Sequence, residues 1–345
     1  RKTCMNAPAH HIVPAAAGWQ AQQRAARIST ADLLASLGLS PADFPHGVMA
    51  APDFPLSVPP HFRALMRPGD PRDPLLLQVL ARGEEALPQP DRLTDPLAEA
   101  DYRAAPGLLR KYRSRALLIA SGACAIHCRY CFRRHYDYGE AMLTRSRAAD
   151  AIAAIAADPA IDEVILSGGD PLSLPDERLT ALVTALAMIP HVNTLRLHSR
   201  TLTTIPDRVT DGLLTLLGQT RLQTVIVTHS NHPAELSKAV ERALGRLRRA
   251  GVTLLNQSVL LAGVNDDADI LAAHSRRLFA IGVLPYYVHL ADPVAGAAHF
   301  DVDEARARRI EAAMRSMLPG YLVPRFVREV PGRQSKTPLA ELPTR

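Results

Sequence analysis

Three of the chain's four cysteines, Cys124, Cys128 and Cys131, fall within the stretch "SGACAIHCRYCFRRHYDY", residues 121–138, with an arginine pair, Arg133 and Arg134, close behind. The spacing is three residues, then two. A structural zinc site prefers a second pair of Cys or His further on, and no later cysteine exists. His127 and His135 are the remaining partners for zinc, crowded into the same loop. Three thiolates on one loop suit an iron–sulfur cube better, because a four-iron cluster with three protein ligands keeps one iron open to a small molecule. A zinc loop and three thiols without chemistry are the alternatives.

Such a loop has to be carried by regular elements. From about residue 115 the β-rich runs "RALLIAS", "EVILSGG", "TLRLHS", "QTVIVTHS", "TLLNQSVLL" and "LPYYVHL" recur. Each of the first five is followed by a segment of helical period, from "SRAADAIAAIAA" to "DADILAAHSRRLFAIG". That alternation predicts an α/β fold, a partial (β/α)6 barrel of parallel strands. In such barrels the polar residues at the C-terminal strand ends face the ligand mouth. The cysteine stretch follows the first strand, "SGGDPL" the second and "THSNHP" the fourth.

Before the barrel, prolines punctuate residues 41–90 and restrict helices to short pieces such as 30–38 and 73–82. The expected division is a proline-rich, irregular, mostly helical extension over 1–100 packed on the barrel, the barrel over 101–320, and a C-terminal segment over 321–345. Hydrophobic residues make up 47% and charged residues 21% of 345, and no apolar run reaches the roughly 18 to 20 residues of a membrane span. The expectation is a soluble, cytoplasmic enzyme with no membrane partner. A net charge of +6 comes from arginines scattered over helices, which predicts a solvated basic surface and no nucleic-acid groove.

"CAIHCRYC" resembles the CxxxCxxC signature of the radical S-adenosylmethionine enzymes. The resemblance implies that Cys124, Cys128 and Cys131 hold a 4Fe–4S cluster whose open iron binds S-adenosylmethionine and cleaves it to a 5′-deoxyadenosyl radical. "SGGD", Ser167, Gly168, Gly169 and Asp170, resembles the family segment that contacts the methionine amino group. Backbone bared by the two glycines permits close approach of that ligand. Ser199, His229 and Gln257 are further expected contacts to S-adenosylmethionine, and Tyr130 covers the cluster or caps the barrel.

Longer matches, "PGLLRKYRSRALL", "LSGGDPL", "HSRT", "THSNHP", "NQSVLLAGVND", "GAAHF" and "VPRFVREVPGRQSKTPL", together resemble the lysine 2,3-aminomutase family over roughly residues 100–340. This implies pyridoxal phosphate as a further cofactor, which binds the migrating amino group as an imine. The chain has four lysines, Lys2, Lys111, Lys238 and Lys336. Lys336 matches the coenzyme lysine, although "GRQS" replaces the family's glycine-rich run before it; Lys238 reads as a mid-helix surface charge. Lys111, Tyr112 and Arg115 match the phosphate-binding positions. Arg133 matches the arginine that grips the substrate carboxylate, and Asp292 and Glu329 match two acids that hold the ammonium of lysine. Glutamate 2,3-aminomutases carry non-acidic residues there, so free L-lysine is the implied substrate.

The proline-rich arm and the cysteine loop are similar to the short family type that makes (R)-β-lysine for elongation factor P, which implies a functional link to that factor and its β-lysine ligase, and a reductase or flavodoxin-type electron donor. A catabolic or osmolyte-producing lysine 2,3-aminomutase and a glutamate 2,3-aminomutase are the alternative enzymes. A family member without turnover, acting as a binding partner, is the alternative of another class.

Overall fold

The computed structural model describes residues 18–141 and 143–343; Lys2 and Cys4 lie outside them. The described residues form one ten-stranded sheet whose strands are neighbours in chain order. They are β1 (Arg103–Ala105), β2 (Leu108–Leu109), β3 (Arg115–Ser121), β4 (Glu163–Gly168), β5 (Thr194–Ser199), β6 (Gln223–His229), β7 (Thr253–Leu260), β8 (Leu284–Leu290), β9 (Arg325–Arg328) and β10 (Thr337–Pro338). The six predicted strands are β3 to β8, all parallel. The sheet is open: β1 and β10 are its two edges.

One expectation needs extension. A seventh parallel strand, β9, pairs with β8, and β10 turns back antiparallel on it. "RFVR" is too short and too charged to announce a strand by itself. Phe326 and Val327 nevertheless become buried against the sheet.

The crossover helices begin where side chains can satisfy their first free N–H groups. Thr144, Thr210, Ser237 and Asp267 cap the helices Arg145–Ala156, Asp211–Gln219, Lys238–Arg249 and Ala268–Ala280. Lys238 is consequently the first residue of its helix rather than a middle one, because Ser237 ends the preceding irregular turn. Its side chain is exposed and pairs with Glu241 at 3.1 Å. Between helices and sheet lies a continuous core that includes Leu166, Leu195, Leu197 and Ile226 from strands and Leu179, Val183 and Leu244 from helices. The opposite face of the strands encloses a cavity.

The arm before the barrel contains the short helices Thr30–Leu37, Pro60–Arg63 and Pro74–Leu77. The last ends earlier than the sequence predicted, since Gln78 presents its carbonyl to the amide of Arg129 in the cysteine loop at 2.9 Å. Leu33, Leu34, Phe62, Leu75, Leu76 and Leu80 form a second core, and Ile126 of the cysteine loop is part of it. No helix among the described residues is long and apolar enough to cross a membrane.

Candidate active site

The C-terminal strand ends surround a cavity of about 310 Å³. Strand periodicity explains its lining: on β5, Leu195 and Leu197 point into the core, whereas Arg196 and His198 face the cavity. Cys124, Cys128 and Cys131 all reach this space as free thiols. Their loop is clamped by the arm. The Ser57 carbonyl accepts from the amide of His127 at 2.9 Å, and Ser57 Oγ donates to the Ala125 carbonyl at 3.0 Å.

The zinc alternative finds no support here. His127 stacks on Phe54 at 4.6 Å and bonds the Pro55 carbonyl through Nδ1 at 2.6 Å. His135 bonds the Ala295 carbonyl at 3.1 Å. No group of three His, Cys, Asp or Glu among the described residues gathers round a single ion. A four-iron cube makes a different demand, since it takes each thiolate on a separate iron. Three thiols bordering one cavity fit that donor set. Burial, then neighbouring charge, pushes the thiols of Cys124 and Cys131 up, the latter to about 12, so a cluster held there would have to supply the positive charge that makes them thiolates. Arg200 Nη1 lies 3.0 Å from Cys128 Sγ, and Tyr130, buried, bonds the same guanidinium.

The glycines of "SGGD" answer a constraint nearer than a ligand. Gly168 has φ +107°, and a Cβ there would meet the Ser121 carbonyl oxygen at 2.6 Å; one on Gly169 would meet the Ala123 carbonyl oxygen at 2.6 Å. The pair lets β4 run against the root of the cysteine loop, and both residues still border the cavity. Asp170 accepts from the amides of Leu172, Arg200 and Thr201 and from Ser199 Oγ, all within 3.1 Å. Asp170 and Ser199 therefore tie the end of β4 to that of β5, with the hydroxyl proton of Ser199 already committed. Ser167 Oγ receives Arg133 Nη1 at 3.3 Å. His229 and Gln257 face the cavity from β6 and β7, and burial, then Arg200, pulls His229 down to about 3, leaving it neutral.

The coenzyme and ammonium positions converge on Glu329. Lys336 Nζ donates to its Oε2 at 2.7 Å, Tyr112 OH donates to Oε1 at 2.7 Å, and Lys111 pairs with the same oxygen. Against the upward push of burial, the Lys336 charge and these hydrogen bonds hold Glu329 down at about 2. Arg115 lies over the Tyr112 ring at 4.1 Å. Asp292 is different. Its Oδ1 is buried without a partner, and burial pushes its carboxyl up to about 7 although Lys336 pulls the other way. Arg133 is buried and its side edge is taken by Glu99.

Sequence reasoning missed Glu99, Arg200, His198 and His289. The two histidines face the cavity, each with a buried Nε2 that has no partner, and burial holds both well below the usual imidazole range. Each is the penultimate residue of its strand and alternates with core residues, Leu195 and Leu197 on β5 and Val288 and Leu290 on β8, so period-two alternation finds them. Glu99 carries no such signal, lying 34 positions from Arg133 at the start of a single 3-10 turn, Glu99–Tyr102, too short to show a period.

Residues 118–273 match the Radical SAM superfamily. An L-lysine 2,3-aminomutase of Haemophilus influenzae is 47% identical over 309 residues, 90% of this chain and 91% of its own. One of Escherichia coli is 48% identical over 286 residues, 83% of each chain. One of Clostridium subterminale is 36% identical over 82% of this chain and 68% of its own. Similarity of this degree across most of both chains, joined to three cysteines at the mouth of an open parallel sheet, leads to one assignment: the chain belongs to the L-lysine 2,3-aminomutase family, a family of isomerases.

Proposed function

We propose that the protein converts L-lysine to β-lysine by moving the amino group from C2 to C3. The observation that carries the choice of lysine is Asp292, a half-buried residue whose carboxylate oxygen Oδ1 is itself buried without a partner at the wall of a cavity that also receives Lys336 and Arg133. Burying a lone carboxylate is unfavourable, and an ammonium arriving from the cavity relieves that penalty. A glutamate side chain would bring a second negative charge to Asp292 and Glu329.

When bound, the cluster with S-adenosylmethionine supplies a carbon radical, and pyridoxal phosphate holds the migrating nitrogen. Cys124, Cys128 and Cys131 hold the cluster. Lys336 is the attachment point of the coenzyme, and Lys111, Tyr112 and Arg115 supply donors to its phosphate. Arg133 binds the substrate carboxylate and Asp292 the distal ammonium, with Glu329 shared between that ammonium and the lysines of the chain itself. Gly168, Gly169, His229 and Gln257 border the space for S-adenosylmethionine.

The product is (R)-β-lysine, and it supplies a ligase acting on elongation factor P; the likeness of the arm and the cysteine loop to the short family type supports this. The electron comes from a reductase or flavodoxin-type donor. Anaerobic assay of the loaded, reduced protein with lysine and with glutamate, followed by chiral analysis, tests the reading. Faster turnover of glutamate overturns the substrate, and (S)-β-lysine overturns the stereochemistry. Unchanged elongation factor P mass in cells lacking this protein removes the proposed fate.

A further inference from the structure

Arg133 is gripped by a carboxylate of the chain itself. Its Nε and Nη2 donate to Glu99 Oε2 and Oε1 at 2.7 and 2.6 Å, and Nη1 donates to the Gly168 carbonyl at 3.0 Å. A guanidinium offers two bidentate edges, one at the side (Nε with Nη2) and one at the end (Nη1 with Nη2). Glu99 takes the side edge. At the end edge Nη2 keeps a second hydrogen, and Nη1 makes, beside its bond to the Gly168 carbonyl, the longer 3.3 Å bond to Ser167 Oγ, which a carboxylate would displace.

Glu99 is itself held from both directions. The Leu93 amide donates to the Pro293 carbonyl at 2.9 Å, and the Ala295 amide to the Leu93 carbonyl at 3.0 Å, so the segment starts beside Asp292. At its other end Tyr102 OH accepts from the Gly332 amide at 2.8 Å, on the loop that leads to Lys336. Ala98, next to Glu99, has φ +50°, the single positive φ of a non-glycine among the described residues. A left-handed alanine persists only where its surroundings over-determine it, and such strain gathers at functional sites.

We propose that Glu99 is a positioning residue for substrate: it locks Arg133 by the side edge so that the end edge meets the α-carboxylate of an amino acid in the cavity. The inference rests on Arg133 being the carboxylate partner. Because the Glu99–Arg133 pair is neutral as a whole, the substrate is held by the direction of two N–H groups more than by net charge.

The test compares L-lysine with 1,5-diaminopentane, which keeps both amines and lacks the carboxylate, by titrating the coenzyme absorbance of the pyridoxal-phosphate-loaded protein. Glu99→Gln is expected to weaken lysine about tenfold or more and to leave 1,5-diaminopentane within about twofold. Glu99→Asp, which retains a shorter carboxylate, is expected to fall between. If Arg133→Met fails to separate the two ligands, the reading of Arg133 fails. If Arg133→Met separates them but Glu99→Gln leaves lysine unchanged, tightens it, or weakens both ligands equally, Glu99 is not a positioning residue. Retained diamine binding shows that each variant is folded.

Discussion

At the scale of single residues, chemistry is set by which carboxylates already have partners. Glu329 is surrounded by cations of its own chain, whereas Asp292 waits for one. An acid whose pKa rises on folding from 3.8 to about 7 is protonated in the folded protein below neutrality. Affinity for the lysine ammonium should therefore be full above about pH 7 and decline as pH falls, and Asp292→Asn should give weaker, flat binding. The same shift bears on stability: the penalty for the charged form is absent below the unfolded value and complete above the folded one. Asp292→Asn should raise the melting temperature of ligand-free protein at pH 8 and leave it unchanged at pH 4; an equal change at both would show that the carboxylate is not desolvated. Lys336 and Lys111 share Glu329, so borohydride reduction of the loaded protein followed by peptide mapping decides between them. The label is expected on Lys336, and a label on Lys111 would reassign the coenzyme site.

At the scale of elements, the cysteine loop owes its shape to two partners distant in sequence. The arm supplies a shared core with Ile126, and β4 supplies glycines that admit the loop's root. Leu76→Ala in that core should cost about 2–5 kcal/mol, and because the same contacts hold the thiols in register, iron per chain should fall as well. Iron analysis beside a denaturation curve separates this from a defect of the arm alone. Gly169→Ala places a methyl 2.6 Å from the Ala123 carbonyl oxygen, so the backbone must move. Its expected signature is loss of iron with a smaller loss of helix content, because the crossover helices pack on the other side of the sheet.

For the whole molecule, the open sheet leaves one mouth for three cofactors and a substrate, and its edges are blunt. The edge strands β1 and β10 have three and two residues, too short to template pairing with another chain. The net charge of +6 acts over distances comparable to the screening length and favours an acidic electron donor. Stopped-flow reduction of the cluster by a flavodoxin-type protein should slow as salt is raised from low to physiological ionic strength, while reduction by dithionite should respond far less. Equal salt dependence for the two would detach the charge from donor docking.

Much of this was legible in the chain. Strand and helix alternation is a local signal, repeated every thirty residues or so with hydroxyl and carboxylate caps between, and the cysteine spacing is local too. Those features determined the barrel, the order of its strands and the loop that carries the thiols. Matching to a family then named Lys336, Arg133, Asp292 and Glu329 as positions. Only the tertiary structure decided their partners. Glu329 meets Lys111 and Tyr112 more than two hundred positions away, and Arg133 meets Glu99 through a segment without periodicity. Glu329 and Arg133 stand where the chain leaves the C-terminal ends of β9 and β3, whereas their partners come from the stretch before the first parallel strand: Glu99 ahead of β1, Lys111 and Tyr112 between β2 and β3. A charged residue in an irregular segment has no sequence signal for the partner that burial gives it, so the pairing emerges when the sheet, the arm and the last two strands have all been placed.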